Sequence, residues 1–464
     1  MNHPFDLQID LLLNDPRVVQ AKKLIMETVN EKQKYITGIR PPDPARKENY
    51  EKVLARFTEY RSLPLWYPYI GSGIGNGALV ELLDGSVKYD FISGIGVHFF
   101  GHSHPILSEA NIDAALSDIV MQGHLQQNGD CVQLSELMIS ASQLPHCFLT
   151  TSGAMALENG LKLVFQKRFP ANRIFAFEHC FCGRTLALAQ ITDKASFRDG
   201  LPATLLVDYI PFFDPLHPKE STQKALEAIK TQLARYPKAY AAMVLELVQG
   251  EGGFNVGTTE FFRAIMELLR ENQVAILVDE VQSFGRTPQL FAFQHFGLEK
   301  YVDICTIGKL SQVCATFFTE EFKPKLGLLS QTFISSTSSI RCSIAILKML
   351  MNSDLYGPQG KNNRFQILFA NQLSEIASRN PGYLSGPFGI GAMIAFTPFN
   401  GNASVTTKIA HALFEEGLIC FIAGNNPTRI RMLPPVPILT ENDVIKACSL
   451  IEIVLHKSKD LCIS

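Results

Sequence analysis

The segment Ile276-Leu-Val-Asp-Glu-Val-Gln282 runs an apolar, β-branched stretch into a carboxylate. Further on, Asp303-Ile-Cys-Thr-Ile-Gly-Lys309 runs a second one into a lysine. Short apolar runs of this kind predict buried parallel strands. In an open α/β sheet, ligands bind at the strand ends. An aspartate there can hold a protonated ring nitrogen, and a lysine can form a Schiff base with an aldehyde. The same residues also fit a plainer picture, in which Asp279 and Glu280 open a loop and Lys309 lies on the surface.

Four further segments offer groups to such a site. Thr151-Ser-Gly-Ala-Met-Ala-Leu-Glu-Asn-Gly-Leu-Lys162 follows the short apolar run Cys147-Phe-Leu, and Leu157, Leu161, Val164 and Phe165 share one helical face. Gly153 then sits at a helix start, where free N–H groups and the dipole favour an anion, and a side chain there would hold a phosphate away. An ordinary N-cap by Ser152 is the alternative. Cys180-Phe-Cys-Gly-Arg-Thr185 follows a predicted strand. Phe181 could stack on a planar ligand or simply pack in the core, and Arg184 could fork a carboxylate or form a surface pair. Leu245-Glu-Leu-Val-Gln-Gly-Glu-Gly-Gly253 carries Glu246 to the same rim as Asp279, where a carboxylate needs a cation. In Arg429-Ile-Arg431, the expectation is one arginine facing the site and the other solvent.

The elements that must position these groups are legible as a pattern. From about 145 to 320, predicted strands (173–177, 205–210, 242–246, 274–278, 303–307, 315–319) alternate with helical stretches such as Glu260 to Glu271, which argues for a doubly wound, mostly parallel sheet. Before it, residues 1–60 are polar and helical in pattern, broken by Pro41, Pro42 and Pro44, and Asp84-Gly85 signals a hairpin. After about 340, a long helix leads into a smaller α+β segment. The expected division is a large domain over 91–344 and a small domain built from 1–90 and 345–464.

Composition narrows the classes. The 464 residues are 46% hydrophobic and 19% charged, with a net charge of −2. This is an ordinary globular balance with no basic cluster for nucleic acid. No apolar run reaches the ~18 residues of a membrane helix, and the N-terminus has no signal-like pattern. Ten cysteines are scattered, mostly in apolar segments, which suits a reducing cytoplasm. Only Cys180 and Cys182 stand close together, so no metal site is expected.

In order and spacing these pieces resemble the class III aminotransferases, pyridoxal-phosphate enzymes of fold type I. Supporting matches are Phe91-Ile-Ser-Gly-Ile-Gly, Gly101-His-Ser-His-Pro105, Phe284-Gly-Arg-Thr287 and Phe291-Ala-Phe-Gln-His-Phe-Gly297. Ala156 to Lys162, Phe181-Cys-Gly-Arg184 and Gln312-Val-Cys314 look closer to the lysine ε-aminotransferase and 4-aminobutyrate branch than to acetylornithine enzymes. The resemblance implies an α/β large domain with a mostly parallel seven-stranded sheet flanked by helices, plus the smaller α+β domain. It implies pyridoxal 5′-phosphate as cofactor, with Lys309 as the Schiff-base residue, Asp279 at the ring nitrogen and Gln282 at the ring hydroxyl. Phe181 would lie on the ring, and Gly153 and Ala154 would hold the phosphate. Thr332 would reach that phosphate from the second subunit of a homodimer. Arg431 and Arg184 would bind the two carboxylates of the acceptor, and Glu246 would pair with Arg431 as a gate.

Three departures accompany the resemblance. Cys182 stands where a histidine is usual. Ile334-Ser-Ser-Thr-Ser338 replaces a Gly-Gly-Asn pattern and leaves Thr337 as an alternative phosphate ligand. The lysine register admits two counts, one on Lys309 and one on position 310, here Leu310, so aiming Lys309 inward calls for a strand-end bulge. The implied activity is transfer of an amine from an ω-amino or diamino acid (lysine, 4-aminobutyrate or ornithine type) to 2-oxoglutarate. An aminomutase or racemase on the same scaffold, and a non-catalytic relative, are the alternatives.

Overall fold

The computed structural model describes residues 7–118 and 120–459. Its centre is a seven-stranded sheet. From one edge the order is His146–Thr150, Cys314–Phe318, Ile304–Ile307, Ala275–Asp279, Tyr240–Leu245, Arg173–Phe177 and Leu206–Ile210. Cys314–Phe318 runs antiparallel to both of its neighbours, and the other pairs are parallel. Every residue of the four strands from Cys314–Phe318 to Tyr240–Leu245 is buried, which is why they read as unbroken apolar runs.

Helices cover both faces. Gly153–Arg168 starts at a Ser152 cap whose hydroxyl accepts from Met155 N at 3.2 Å, and it buries Leu157, Leu161 and Val164. Gly160 lies where a Cβ would come within 2.7 Å of Leu277, so this helix packs unusually close to the central strand. Thr259–Glu271 is capped by Thr258 and buries Phe261, Phe262, Ile265, Met266 and Leu269, a helical stripe. No described helix is long and apolar enough to cross a membrane.

The two chain ends meet in smaller sheets. Leu79–Leu82 and Val87–Asp90 form the expected hairpin around Gly85, whose φ of 82° suits glycine. Leu418–Ile419 then pairs in parallel with Val87–Asp90 from the far end of the sequence. A second four-stranded sheet holds Arg429–Met432 between Met393–Pro398 and Phe421–Ala423. The helix Thr337–Met351 spans the expected junction near 345.

Candidate active site

Five strands end at one rim. A cavity of about 320 Å³ lies there, the size of a small-molecule site. Gly153, Ala154, Phe181, Arg184, Glu246, Asp279, Gln282 and Lys309 all line it. The sheet order makes this possible, because the strands that carry these residues at their carboxyl ends run the same way.

Lys309 enters the cavity without a strand bulge. The strand Ile304–Ile307 pairs with Ala275–Asp279 in unbroken register, Asp279 opposite Thr306. The turn is made by Lys309 itself, whose φ of 52° is left-handed. A lysine in that region is strained, and such strain concentrates at functional sites. Leu310 goes the other way and is fully buried, within reach of a Cβ placed at Gly285. One left-handed residue therefore brings Lys309 to the cavity lining. Burial pushes the Lys309 amine below its usual pKa, opposed by the nearby charge of Asp279. It forms no ion pair among the described residues. A more often neutral amine is a better nucleophile.

Asp279 is buried at its strand end. Oδ1 accepts from Val281 N at 2.9 Å and from the Thr306 hydroxyl at 3.4 Å, and no described donor reaches Oδ2. Burial raises its pKa to about 6, against the lowering effects of that N–H and of Lys309. Such a carboxylate is poised for a cationic partner.

At the helix start, the Ser152 hydroxyl serves Met155 N, which leaves the N–H groups of Gly153 and Ala154 for a ligand. Packing gives a second reason for glycine at position 153. A Cβ there would meet Val281 Cγ1 at 2.8 Å, so the glycine lets the helix end settle onto the Asp279 turn. Gly308 is tight in the same way, against Cys314 Sγ at 2.9 Å.

Other assignments need correction. Glu246 does not pair with Arg431. Its two oxygens accept from Phe181 N at 2.9 Å and Gly250 N at 3.0 Å. The carboxylate that meets Arg431 is Glu251, five residues on, brought back by the Gly-rich turn. Arg431 is fully buried and also donates from Nη1 to Gln282 Oε1 at 3.1 Å. Arg429 does not face solvent alone. Residues two apart in a strand share a face, so Arg429 points at the same turn, donating to the Gly253 carbonyl and lying 3.5 Å from the Phe388 ring centre. Thr332 is exposed and outside the cavity, while Thr337 is buried with its hydroxyl taken by Gln122 Nε2 at 3.0 Å.

One group escaped the sequence reading. Arg286, in the Phe284-Gly-Arg-Thr287 match, is fully buried and has no carboxylate partner among the described residues. It donates to the carbonyls of Gln282 (3.1 Å) and Gly96, and burial pulls its pKa down to about 9. It ties the Gln282 turn to Ser93–Gly96, where four consecutive residues have positive φ. The signal available was its place in the Phe284-Gly-Arg-Thr287 match.

These residues fit pyridoxal phosphate. Among the described residues, a buried carboxylate oxygen without a donor, an amine with no ion pair and two helix N–H groups with no acceptor face one cavity. The comparisons with known proteins agree. The sequence pattern of the family Aminotransferase class-III matches residues 72–455. The acetylornithine aminotransferase of Methanocaldococcus jannaschii is 28% identical over 387 residues, 79% of this chain and 89% of that protein. That of Bacillus subtilis is 28% identical over 393 residues, 82% of this chain and 94% of that protein. Among solved structures, lysine aminotransferase from M. tuberculosis superposes with a TM-score of 0.77 at 21% identity, covering 87% of this chain and 99% of that one. Ornithine aminotransferase from Toxoplasma gondii gives 0.77 at 22%, covering 89% and 96%. With its fold, its rim of strand-end groups and a match over most of its length, the chain belongs to the class III aminotransferases, enzymes that work with pyridoxal phosphate.

Proposed function

We propose that the enzyme moves an amino group from an ω-amino or diamino acid, of the lysine, ornithine or 4-aminobutyrate type, to 2-oxoglutarate. The observation that carries this reading is the pair of arginines of different status. Arg184 lines the cavity, lies 3.7 Å from the Phe197 ring centre and has no carboxylate partner among the described residues. Arg431 is covered by Glu251. A dicarboxylate acceptor would use both, displacing Glu251. A donor with a distal amine and little charge at that end would leave Glu251 in place. The names of the relatives, acetylornithine, lysine and ornithine aminotransferases, support a donor of this class.

Pyridoxal phosphate supplies the electron sink that acidifies the substrate carbon and carries the amine between half-reactions. The chain's own groups do the rest. Asp279 Oδ2 would hold the ring nitrogen protonated, Gln282 would reach the ring hydroxyl, and Phe181 would cover one ring face. The N–H groups of Gly153 and Ala154 would hold the phosphate. Lys309 Nζ would take the proton from the carbon bearing the amine and return it on the other side of the transfer. We assign Thr332 to the phosphate of a second copy. Its exposure, beside exposed Val120, Met121, Leu125 and Phe333, supports a homodimer with shared sites. The described cysteines are all free thiols, which supports a reducing, cytoplasmic setting.

The test is a donor screen with 2-oxoglutarate, following glutamate. Turnover with lysine, ornithine, its N-acetyl form or 4-aminobutyrate supports the reading. Turnover only with α-amino donors, or with a monocarboxylate acceptor in preference to 2-oxoglutarate, refutes it.

A further inference from the structure

We propose that Glu246 is a positioning residue, whose single buried carboxylate fixes both the Phe181 loop over the cavity and the Gly250–Gly253 turn that delivers Glu251 to Arg431. The inference rests on the active-site reading above. Glu246 follows the fully buried strand Tyr240–Leu245 and is itself only 5% exposed. It makes no ion pair among the described residues, although an isolated buried carboxylate is costly. Its two oxygens instead receive one backbone N–H each, from two different loops.

Both loops have other bonds, in the turn from Asn255 Nδ2 to the Gly252 carbonyl at 3.0 Å and from Arg429 to the Gly253 carbonyl, but the Gly250 amide is held by Glu246. Around Phe181, the neighbouring contacts go through Thr192, whose hydroxyl accepts from Cys182 N at 3.0 Å and donates to the Gly183 carbonyl at 2.9 Å. The amide of Phe181 is served by Glu246 alone. In the turn, Gly250, Gly252 and Gly253 have no side chains to pack, and Gly250 leads directly into Glu251. A cut at Glu246 would therefore loosen a ring-covering residue and the arginine's carboxylate together. A gate residue would affect only the second.

Glu246→Gln separates these roles. An amide offers one acceptor oxygen, so one of the two N–H groups loses its partner. In the apoenzyme, hydrogen exchange at Phe181 or Gly250 should rise tenfold or more, while amides within Tyr240–Leu245 keep their rates. In the holoenzyme, affinity for pyridoxal phosphate should fall at least tenfold. The KM values of dicarboxylate and monocarboxylate substrates should shift in the same proportion. Unchanged exchange at both amides would overturn the proposal. So would a change confined to the dicarboxylate KM. If the variant does not fold, the wild-type apoenzyme still decides. Phe181 and Gly250 amides must be protected relative to Gly252, and equal exchange would overturn the proposal. The exchange result does not depend on which donor the enzyme uses, so a failed donor screen and a failed brace are distinguishable.

Discussion

Gly250→Ala offers a sharp test of the contact between Gln282 and Arg431. A Cβ at Gly250 would lie 2.6 Å from Gln282 Cδ, 2.6 Å from Nε2 and 2.7 Å from Oε1. The φ of Gly250 is outside the left-handed region, so alanine itself is unstrained there. The conflict therefore falls on the Gln282 amide, the flexible end of its side chain. That amide must swing away, and with it goes the acceptor of Arg431 Nη1. A hydrogen bond to a charged group is worth about 1.5–3 kcal/mol, and swinging away relieves the overpacking that would otherwise cost about 1–3 kcal/mol. A loss of about 2 kcal/mol in substrate carboxylate binding corresponds to roughly 30-fold. We expect KM for 2-oxoglutarate to rise by that order in steady-state transamination. The melting temperature should hold, because replacing glycine by alanine favours folding by about 0.4–1 kcal/mol through the unfolded state. The control is the same substitution in a Gln282→Ala background, where the obstructed amide is gone. There Gly250→Ala should be silent to within about 0.5 kcal/mol. An equal loss in both backgrounds would refute the reasoning and place the cost in the turn's backbone.

Three further outcomes follow from the same geometry. Asp279→Asn keeps an acceptor for Val281 N but removes the charge offered by Oδ2, so single-turnover rates should fall at least a hundredfold while the melting temperature stays within a few degrees. Near-normal rates would reassign Asp279 to a structural role. Borohydride reduction of the holoenzyme should leave a pyridoxyl adduct on the peptide containing Lys309, and Lys309→Ala should bind the cofactor without one. An adduct on another lysine would sink the assignment. In the apoenzyme, burial raises Glu280 to about 7 and Glu246 to about 8, from 4.5. Each raised carboxyl holds a proton in the folded state that the unfolded chain has already released, so its stabilisation is complete below about pH 4.5 and is lost as pH rises through 7 and 8. The apoenzyme's melting temperature should fall between pH 5.5 and 8.5, less steeply in Glu280→Gln, and a rising profile would contradict this.

Much of the site was legible because strand ends announce themselves. Asp279, Lys309 and Glu246 follow apolar runs closely, Phe181 lies four residues past the strand Arg173–Phe177, and a parallel sheet gathers such ends at one rim. What was not legible depends on backbone geometry that residue types do not encode. The left-handed φ of Lys309 does the work assigned to a bulge. Glu251 lies past the strand end, and only the bend of the Gly-rich turn returns it to Arg431. The expectation for Arg429 and Arg431 erred on strand periodicity itself, since positions two apart share a face. Arg286 was passed over because its partners are carbonyls from Gly96 and Gln282, a pairing with no counterpart in sequence.

The departures from the family pattern are each absorbed by a local physical solution. Leu310 stands where a second lysine could have been, but that position faces the core. A lysine there would bury an unpaired charge, whereas leucine packs beside Gly285. The serines that replace Gly-Gly-Asn do not merely crowd the loop. Ser336 caps the helix Thr337–Met351, accepting from Ser339 N at 3.1 Å, and its hydroxyl also meets those of Ser338 and Ser339. The cap starts the helix after Ser336, so Thr332 stays four residues upstream in exposed chain while Thr337 is drawn into the interior. Of the two threonines, Thr332 is exposed and Thr337 is buried. Cys182 fits by the same logic: it is buried beside Cys180 in the core under the Phe181 loop, where a small apolar thiol packs and its hydrogen bond with Cys180, then burial, keep it protonated. These changes therefore fall on residues that lie outside the cavity or, in the case of Cys182, line it without supplying charge.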